Sequence, residues 1–579
     1  MSLFSGVLSL ALGRRAAKIY LVVLELVAIA LAAILLVFCI RSGKAFTFVL
    51  GEFPAPWGNE LRAGILEAIL VLTFLTVEFC AVQMGGKFLK IDVDESKLHL
   101  YNALVHLLRA ALLALVFTND IFTGYVFLEI STLTSCGILI IRQIGRTTLA
   151  AVRYMVLNLL GSGLFLLGLV LLYAITGHLL MVPMHEVIVE LSSNPNELMT
   201  LALSTGILTI GLCIKIGLFP FHFWMPDTYG WATPTSAALL AGLVSKGYLI
   251  LLIKIYLRVI GTEVLAKMQI SRILFVLGIL GMVFGSVSAL RAKNVNHMVA
   301  FSSAAQIGYI FMGIGIGGLA GYTAAIFHIL THCVTKALLF LTTPYLAEVS
   351  GGSLRFRDLQ GSAHRARTAG LFFLVGSFSM VGIPIFAGFS SKLLFALAAV
   401  SAESFVKVIL TMLALALSSV LNALYFLRTM IRIYTVGKGG SETSAAREYE
   451  RLHGLSGDGQ VADAATIAAI TENASHCSVD SQSNESCHSE EQSDEESRQQ
   501  GSKRKGILRF AQNDRQPALQ SHTFVADNST AANAPARDGL SVRLAYLVPA
   551  LILVAMNLFL GLNSGAVVEL IEKGLAMFL

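Results

Sequence analysis

The sequence predicts an all-α polytopic membrane protein of about thirteen transmembrane helices. Three observations lead there. Hydrophobic residues make up 55% of the 579 and charged residues only 13%, against roughly 25% in soluble domains, and the mean hydropathy is +0.74. Apolar runs recur at the length of about 20 residues that a helix needs to cross hydrocarbon. Basic residues alternate between rich and poor connecting segments, as orientation in a bilayer requires.

Residues 1–13 are apolar but too short to cross alone, and they lack the cleavage pattern of a signal peptide. The first full span is expected at about 17–40, with others at about 61–84, 98–118, 121–141, 150–173, 199–223, 232–257, 273–290, 296–318, 320–346, 367–400, 404–431 and 543–563. With the N-terminus inside, inner segments carry Arg14, Arg15 and Lys18; Lys87, Lys90 and Lys97; Arg142, Arg146 and Arg153; Arg291 and Lys293; Arg355, Arg357, Arg365 and Arg367; and Arg428 and Arg432. One outer segment breaks the alternation, with Lys254, Arg258, Lys267 and Arg272. Residues 437–540 change in kind: they are rich in Ser, Glu, Gln, Asn and Asp, and they are expected to be a disordered inner insertion because so polar a tract cannot bury enough apolar surface to order itself. The divisions are therefore N-terminal helices over 1–118, helical runs over 119–257 and 258–436, the insertion over 437–540, and a last helix with a short amphipathic end over 541–579.

Composition also excludes classes of function. The net charge of +6 comes mostly from short loops, where it sets topology, so no nucleic-acid partner is expected. The seven cysteines are scattered with no C-x-x-C or other ligand spacing, and there is no glycine-rich phosphate or dinucleotide loop, so no cofactor and no metal site is expected.

What remains is a set of ionisable side chains inside apolar spans. A charge at mid-bilayer costs about 2.5–3.5 kcal/mol, so such groups usually face a protein interior or a water-filled path. Lys215 lies five residues before Pro220, whose missing N–H breaks the helix, and irregular backbone at that depth is tolerated only where it is buried or lines a cavity. Glu129, in the fourth span, has no acidic neighbour; Lys215 is its natural partner, either in a static ion pair or in a relay where moving one changes the proton affinity of the other. His328, His332 and Lys336 are spaced four apart and share one helix face, which makes a polar stripe suited to passing protons. Lys246 could relay between them; His222, Ser302, Ser303 and Gln306 add polarity that packing alone could explain. Lys392 follows a second break, GIPIFAGFSSK, whereas Lys215 precedes its own, an arrangement expected of two halves with inverted topology.

The segments KIGLFPFHFWMPD, ATPTSAALLAGLVSK, AFSSAAQIGYIFMGIG, AIFHILTHCVTKALLFL and GIPIFAGFSSK, in this order, resemble the antiporter-like membrane subunits of Mrp-type cation/proton antiporters, proton-pumping NADH:quinone oxidoreductase (complex I) and membrane-bound hydrogenases. FVLGEFPAPWGNELRAG looks most like the Mrp D-type subunit. The resemblance implies two inverted five-helix repeats over 119–257 and 258–436, each with a broken helix, at about 199–223 and 367–400. It also implies that Glu129 and Lys215 are a coupling pair, that Lys246, His328, His332 and Lys336 continue a hydrated axis, and that Lys392 is the terminal proton donor or acceptor. A short start in place of a full N-terminal helix, Gly247 directly after Lys246, and the long insertion depart from the family pattern.

The leading expectation is a proton-translocating subunit of a multi-subunit complex in a prokaryotic inner membrane, exchanging protons for a cation such as sodium. A membrane-arm subunit of complex I or a membrane-bound hydrogenase is the alternative, with the chain then part of a larger enzyme. A self-sufficient secondary transporter and a non-conducting structural subunit are the other readings, and in the last the buried charges would be static pairs.

Overall fold

In the computed structural model the described residues are 2–49, 52–53, 58–402, 404–435 and 540–578. They are almost wholly helical. Helices α1 (Ser2–Ala11) and α2 (Arg14–Ser42) lead into an antiparallel hairpin, β1 (Phe46–Val49) and β2 (Glu60–Ala63), in which Phe46 faces Ala63. Then come α3 (Ile65–Asp92), α4 (Leu98–Phe117), α5 (Ile121–Ile140), α6 (Gly145–Thr176), α7 (Met181–Leu191), α8 (Pro195–Ile216) and α9 (Met225–Trp231). Helices α10 (Pro234–Leu239) and α11 (Ser245–Lys254) join through a π-helical Leu240–Val244, and a second π stretch, Ile255–Ile260, extends α11. The chain continues through α12 (Thr262–Lys267), α13 (Ile270–Arg291), α14 (Val295–Ile316), α15 (Gly318–Glu348), α16 (Ser362–Arg365), α17 (Arg367–Val381), α18 (Ala387–Val400) and α19 (Phe405–Tyr434). It closes with α20 (Leu540–Leu562) and α21 (Ser564–Ala576). The polar insertion lies outside the described residues, except for Leu540, where α20 begins.

Twelve helices among the described residues are long and apolar enough to cross a membrane, against the thirteen spans expected. The difference is at 367–400, which is two short helices of 15 and 14 residues. Gly382, at φ +90°, ends α17 in a left-handed conformation, and Ile385 also has a positive φ, so the backbone cannot continue as one helix. The first break is similar in kind: Gly217, at φ +81°, caps α8 on Cys213 O, and a 3-10 turn, Phe221–Trp224, bridges to α9.

Burial grades from the centre outward. The hydropathy windows of 234–260 and 318–348 are wholly buried, whereas only 17% of that of α2 is buried and its remaining apolar surface faces outward. A helix that is apolar all round belongs inside, and here the inner helices are those that carry Lys246, His328, His332 and Lys336.

Helices α6 and α8 approach through glycine. A Cβ on Gly211 would lie 2.5 Å from Phe165 N and 2.6 Å from Gly161 O, so the backbones touch there, as small residues permit between helices in lipid. Gly211→Ala is expected to destabilise the chain by about 1–3 kcal/mol, the usual cost of overpacking. Gly163→Ala, on α6 with nothing within 4 Å of the added carbon, is the neutral control. Thermal unfolding in detergent, followed by size exclusion, separates the two.

Candidate functional site

Burial of an ammonium is tolerable only if acceptors surround it, so the partners of each lysine decide what it can do. Lys215, in the last turn of α8, is fully buried. Its Nζ donates to Thr132 Oγ1 at 2.8 Å and lies 3.3 Å from Glu129 Oε2. Glu129 also accepts a hydrogen bond from Ser162 Oγ and keeps 22% of its side chain exposed. Thr132 and Ser131 both meet Tyr248 Oη, at 3.1 and 2.9 Å, and Lys215 Nζ sits 5.7 Å from the centre of the Tyr248 ring. The expected pair thus belongs to a hydrogen-bonded group joining α5, α6, α8 and α11. Breaking α8 at Gly217 is what lets Lys215 stand at its open C-terminal end.

The next two lysines have no carboxylate. Lys246 is fully buried and donates to Ala241 O, a carbonyl within the π-helical stretch, where backbone groups depart from the α-helical ladder. Lys336, also fully buried, donates to Val299 O at 2.8 Å and to Ser302 Oγ. Among the described residues neither makes an ion pair. His328 and His332 stack with ring centres 6.0 Å apart, which places the predicted stripe on one face of α15. Lys246 and Lys336 lie within electrostatic reach of both rings. Both ring nitrogens of His332 and Nε2 of His328 are buried without a hydrogen-bond partner among the described residues.

The line then reaches the second break. His328 Nδ1 is 2.7 Å from Ser391 Oγ, and Ser391 adjoins Lys392. Lys392, half-buried, donates to Val381 O at 2.6 Å, the last carbonyl of α17. An ammonium there offsets the negative end of the helix dipole.

Several participants are not legible as motifs. Asn557 of α20 donates to Thr335 Oγ1 at 2.8 Å and to Ser379 Oγ at 3.1 Å, tying the last helix to α15 and the second break. Lys254 and Arg258, which as outer-loop charges disturb the alternation of basic loops, are buried within the extended α11. Lys254 donates to Val116 O and Thr118 O at 2.5 and 2.7 Å, closing the end of α4, and Arg258 donates to Asn119 Oδ1. Neither is free to report on topology. His222, beside the first break, leaves Nδ1 unpartnered and joins no part of the line by hydrogen bonding. No group of three or more His, Cys, Asp or Glu suited to a metal ion occurs among the described residues.

Comparison with known proteins supplies the context. The family described as NADH:quinone oxidoreductase/Mrp antiporter, TM matches residues 118–418. NADH-quinone oxidoreductase subunit N of Desulforudis audaxviator is 31% identical over 415 residues, covering 71% of this chain and 80% of that protein. The protein named "Putative antiporter subunit mnhD2" from Staphylococcus aureus is 27% identical over 413 residues, again with 71% and 80% covered. Among solved structures, a chain of the membrane-bound sulfane sulfur reductase, an archaeal respiratory membrane complex, superposes with a TM-score of 0.67 at 27% identity, covering 82% of this chain and 92% of that one. A chain of the Mrp complex from Dietzia sp. DQ12-45-1b superposes with a TM-score of 0.74 at 21% identity, covering 99% and 95%, a likeness of fold.

Proposed function

The chain belongs to the NADH:quinone oxidoreductase/Mrp antiporter transmembrane family, and from that membership and the geometry of its buried lysines we propose that it carries protons across the membrane. It is an antiporter-like integral membrane subunit of the Mrp and complex I type. Protons pass along the line from Glu129 and Lys215 through Lys246, His332, Lys336 and His328 to Lys392, with the breaks at Gly217 and Gly382 giving each end room to rearrange. The runs 119–257 and 258–436 act as the two transport units, the first ending its broken helix near Lys215 and the second resuming its own before Lys392.

One observation carries this reading: Lys246 and Lys336 are fully buried yet hydrogen-bonded only to neutral oxygens. A structural lysine gains most from a carboxylate or an exit to water. One held by neutral acceptors can lose its proton without stranding a counter-ion, which transfer to a neighbouring imidazole requires.

The exchanged ion is a monovalent cation such as sodium, the partners are the other membrane subunits of one complex, and the setting is a prokaryotic inner membrane. A second reading, a proton-pumping membrane arm driven by a redox partner, is favoured by the 31% identity to a NADH-quinone oxidoreductase subunit. Proton uptake into liposomes bearing the complete complex, followed with a pH-sensitive dye under an imposed sodium gradient, tests the first reading. Uptake is expected in the parent and background signal in Lys336→Ala. A parent that moves protons only when electrons are supplied supports the second reading.

A further inference from the structure

Three consecutive spans each bring one charged side chain to a common point away from the lysine line. Glu25 of α2, Glu78 of α3 and Arg109 of α4 are buried, with side chains 0%, 5% and 0% exposed. Arg109 Nη2 is 2.9 Å from both Glu25 Oε1 and Glu78 Oε1, and its Nε donates to both oxygens of Glu78 at 3.0 and 3.1 Å. The neighbouring titratable groups are Cys80 from α3, His106 from α4 and Tyr20 from α2, whose ring centre lies 5.7 Å from that of His106. From α1, Ser5 Oγ meets His106 Nδ1 at 3.1 Å. None of these supplies a second fixed positive charge.

We propose that Glu25, Glu78 and Arg109 form a proton-binding site separate from the lysine line, holding one proton between two carboxylates across a single guanidinium. Two ionised carboxylates against one guanidinium leave one negative charge in excess, and an uncompensated charge out of water is what burial penalises most. A carboxylate neutralises by taking up one proton, which makes one carboxylic acid and alters no other bond. Glu25 is the carrier, because its Oε2 is buried without a partner whereas both oxygens of Glu78 are bonded to Arg109. Arg109 Nη1 and His106 Nε2 are likewise buried and unpartnered, and His106 lies one turn nearer the start of α4. That end is the one the basic residues mark as inner, and it is where the proton enters and leaves. Bound, the proton makes the contact of α2 with α3 and α4 electrically neutral; released, it leaves the charge at that interface.

Infrared difference spectra of the full chain in lipid, between mildly acidic and alkaline buffer, test this. The parent is expected to show the carbonyl band of a protonated glutamic acid, displaced by carbon-13 glutamate, and Glu25→Gln to lose it. Should that variant not accumulate, Glu25→Asp is read instead, with the band shifted rather than lost. A band lost in Glu78→Gln and kept in Glu25→Gln overturns the choice of carrier. A parent without any glutamic-acid band, or one whose band survives unchanged in both glutamine variants, overturns the site, leaving a static triad.

Discussion

Lys215→Ala is expected to reduce proton uptake by the reconstituted complex to the level of protein-free liposomes, with the chain still inserted in the membrane. The lysine is the only cation paired with Glu129 among the described residues, at 3.3 Å, and it reaches Thr132 and through it Tyr248. Removing it takes away both the group that would carry the proton and the charge that governs Glu129. A static ion pair predicts something else. There the damage comes from stranding a partly buried carboxylate, and removing both partners should restore what removing one takes away. The double variant Lys215→Met/Glu129→Gln therefore separates the two readings. In the relay reading it recovers thermal stability and stays inactive, because no titratable group remains at the first station. Recovery of proton uptake in the double variant would show the pair to be scaffolding.

The cost to stability should be moderate. Glu129 keeps 22% of its side chain exposed and retains its hydrogen bond from Ser162, so water and a hydroxyl remain to solvate it. A stability loss as large as that of a fully buried pair would put the carboxylate in drier surroundings than its exposure indicates.

How far the sequence reveals this arrangement depends on the range of the signal. Spans are legible because hydrocarbon imposes one length and one chemistry on each, and the breaks because Gly217 with Pro220 and Gly382 with Pro384 act on their own backbones. The stripe of His328, His332 and Lys336 is legible because it repeats every four residues on one helix. Hydropathy alone reads 367–400 as one apolar span; it is the break at Gly382 and Pro384 that divides it into two short helices, the broken helix expected there. Hydropathy misplaced Lys254 and Arg258, whose basic character suits a loop but whose donors fill carbonyls and an amide within the bundle. Ser162, Ser391 and Asn557 escaped because a lone small polar residue in an apolar span looks like packing until its partner is known. The triad of Glu25, Glu78 and Arg109 did leave a signal, a charge deep in each of three successive spans, but the positions are 31 and 84 apart along the chain from Arg109 and no local period connects them.

The largest loss of stability is expected from Arg109→Leu. The guanidinium is fully buried and, among the described residues, is the only cation holding Glu25 and Glu78, so its removal strands the negative charge they share with no counter-charge beside it. Breaking a buried pair by deleting one partner costs about 3–5 kcal/mol, because the remaining charge keeps its desolvation penalty. The effect should be sharpest on α2, which has little else buried and depends on its inner face against α3 and α4. By contrast Arg142, which holds Asp92 at 2.8 Å with both side chains partly exposed, should cost less when removed, since water can take over. A triple variant, Arg109→Leu/Glu25→Gln/Glu78→Gln, tests the cause. With every charge gone it should recover most of the lost thermal stability, as neutral replacement of a buried ionic group generally does. If the triple variant is as unstable as Arg109→Leu alone, the arginine acts through the volume and shape it fills between the three helices, and the electrostatic account of their contact fails.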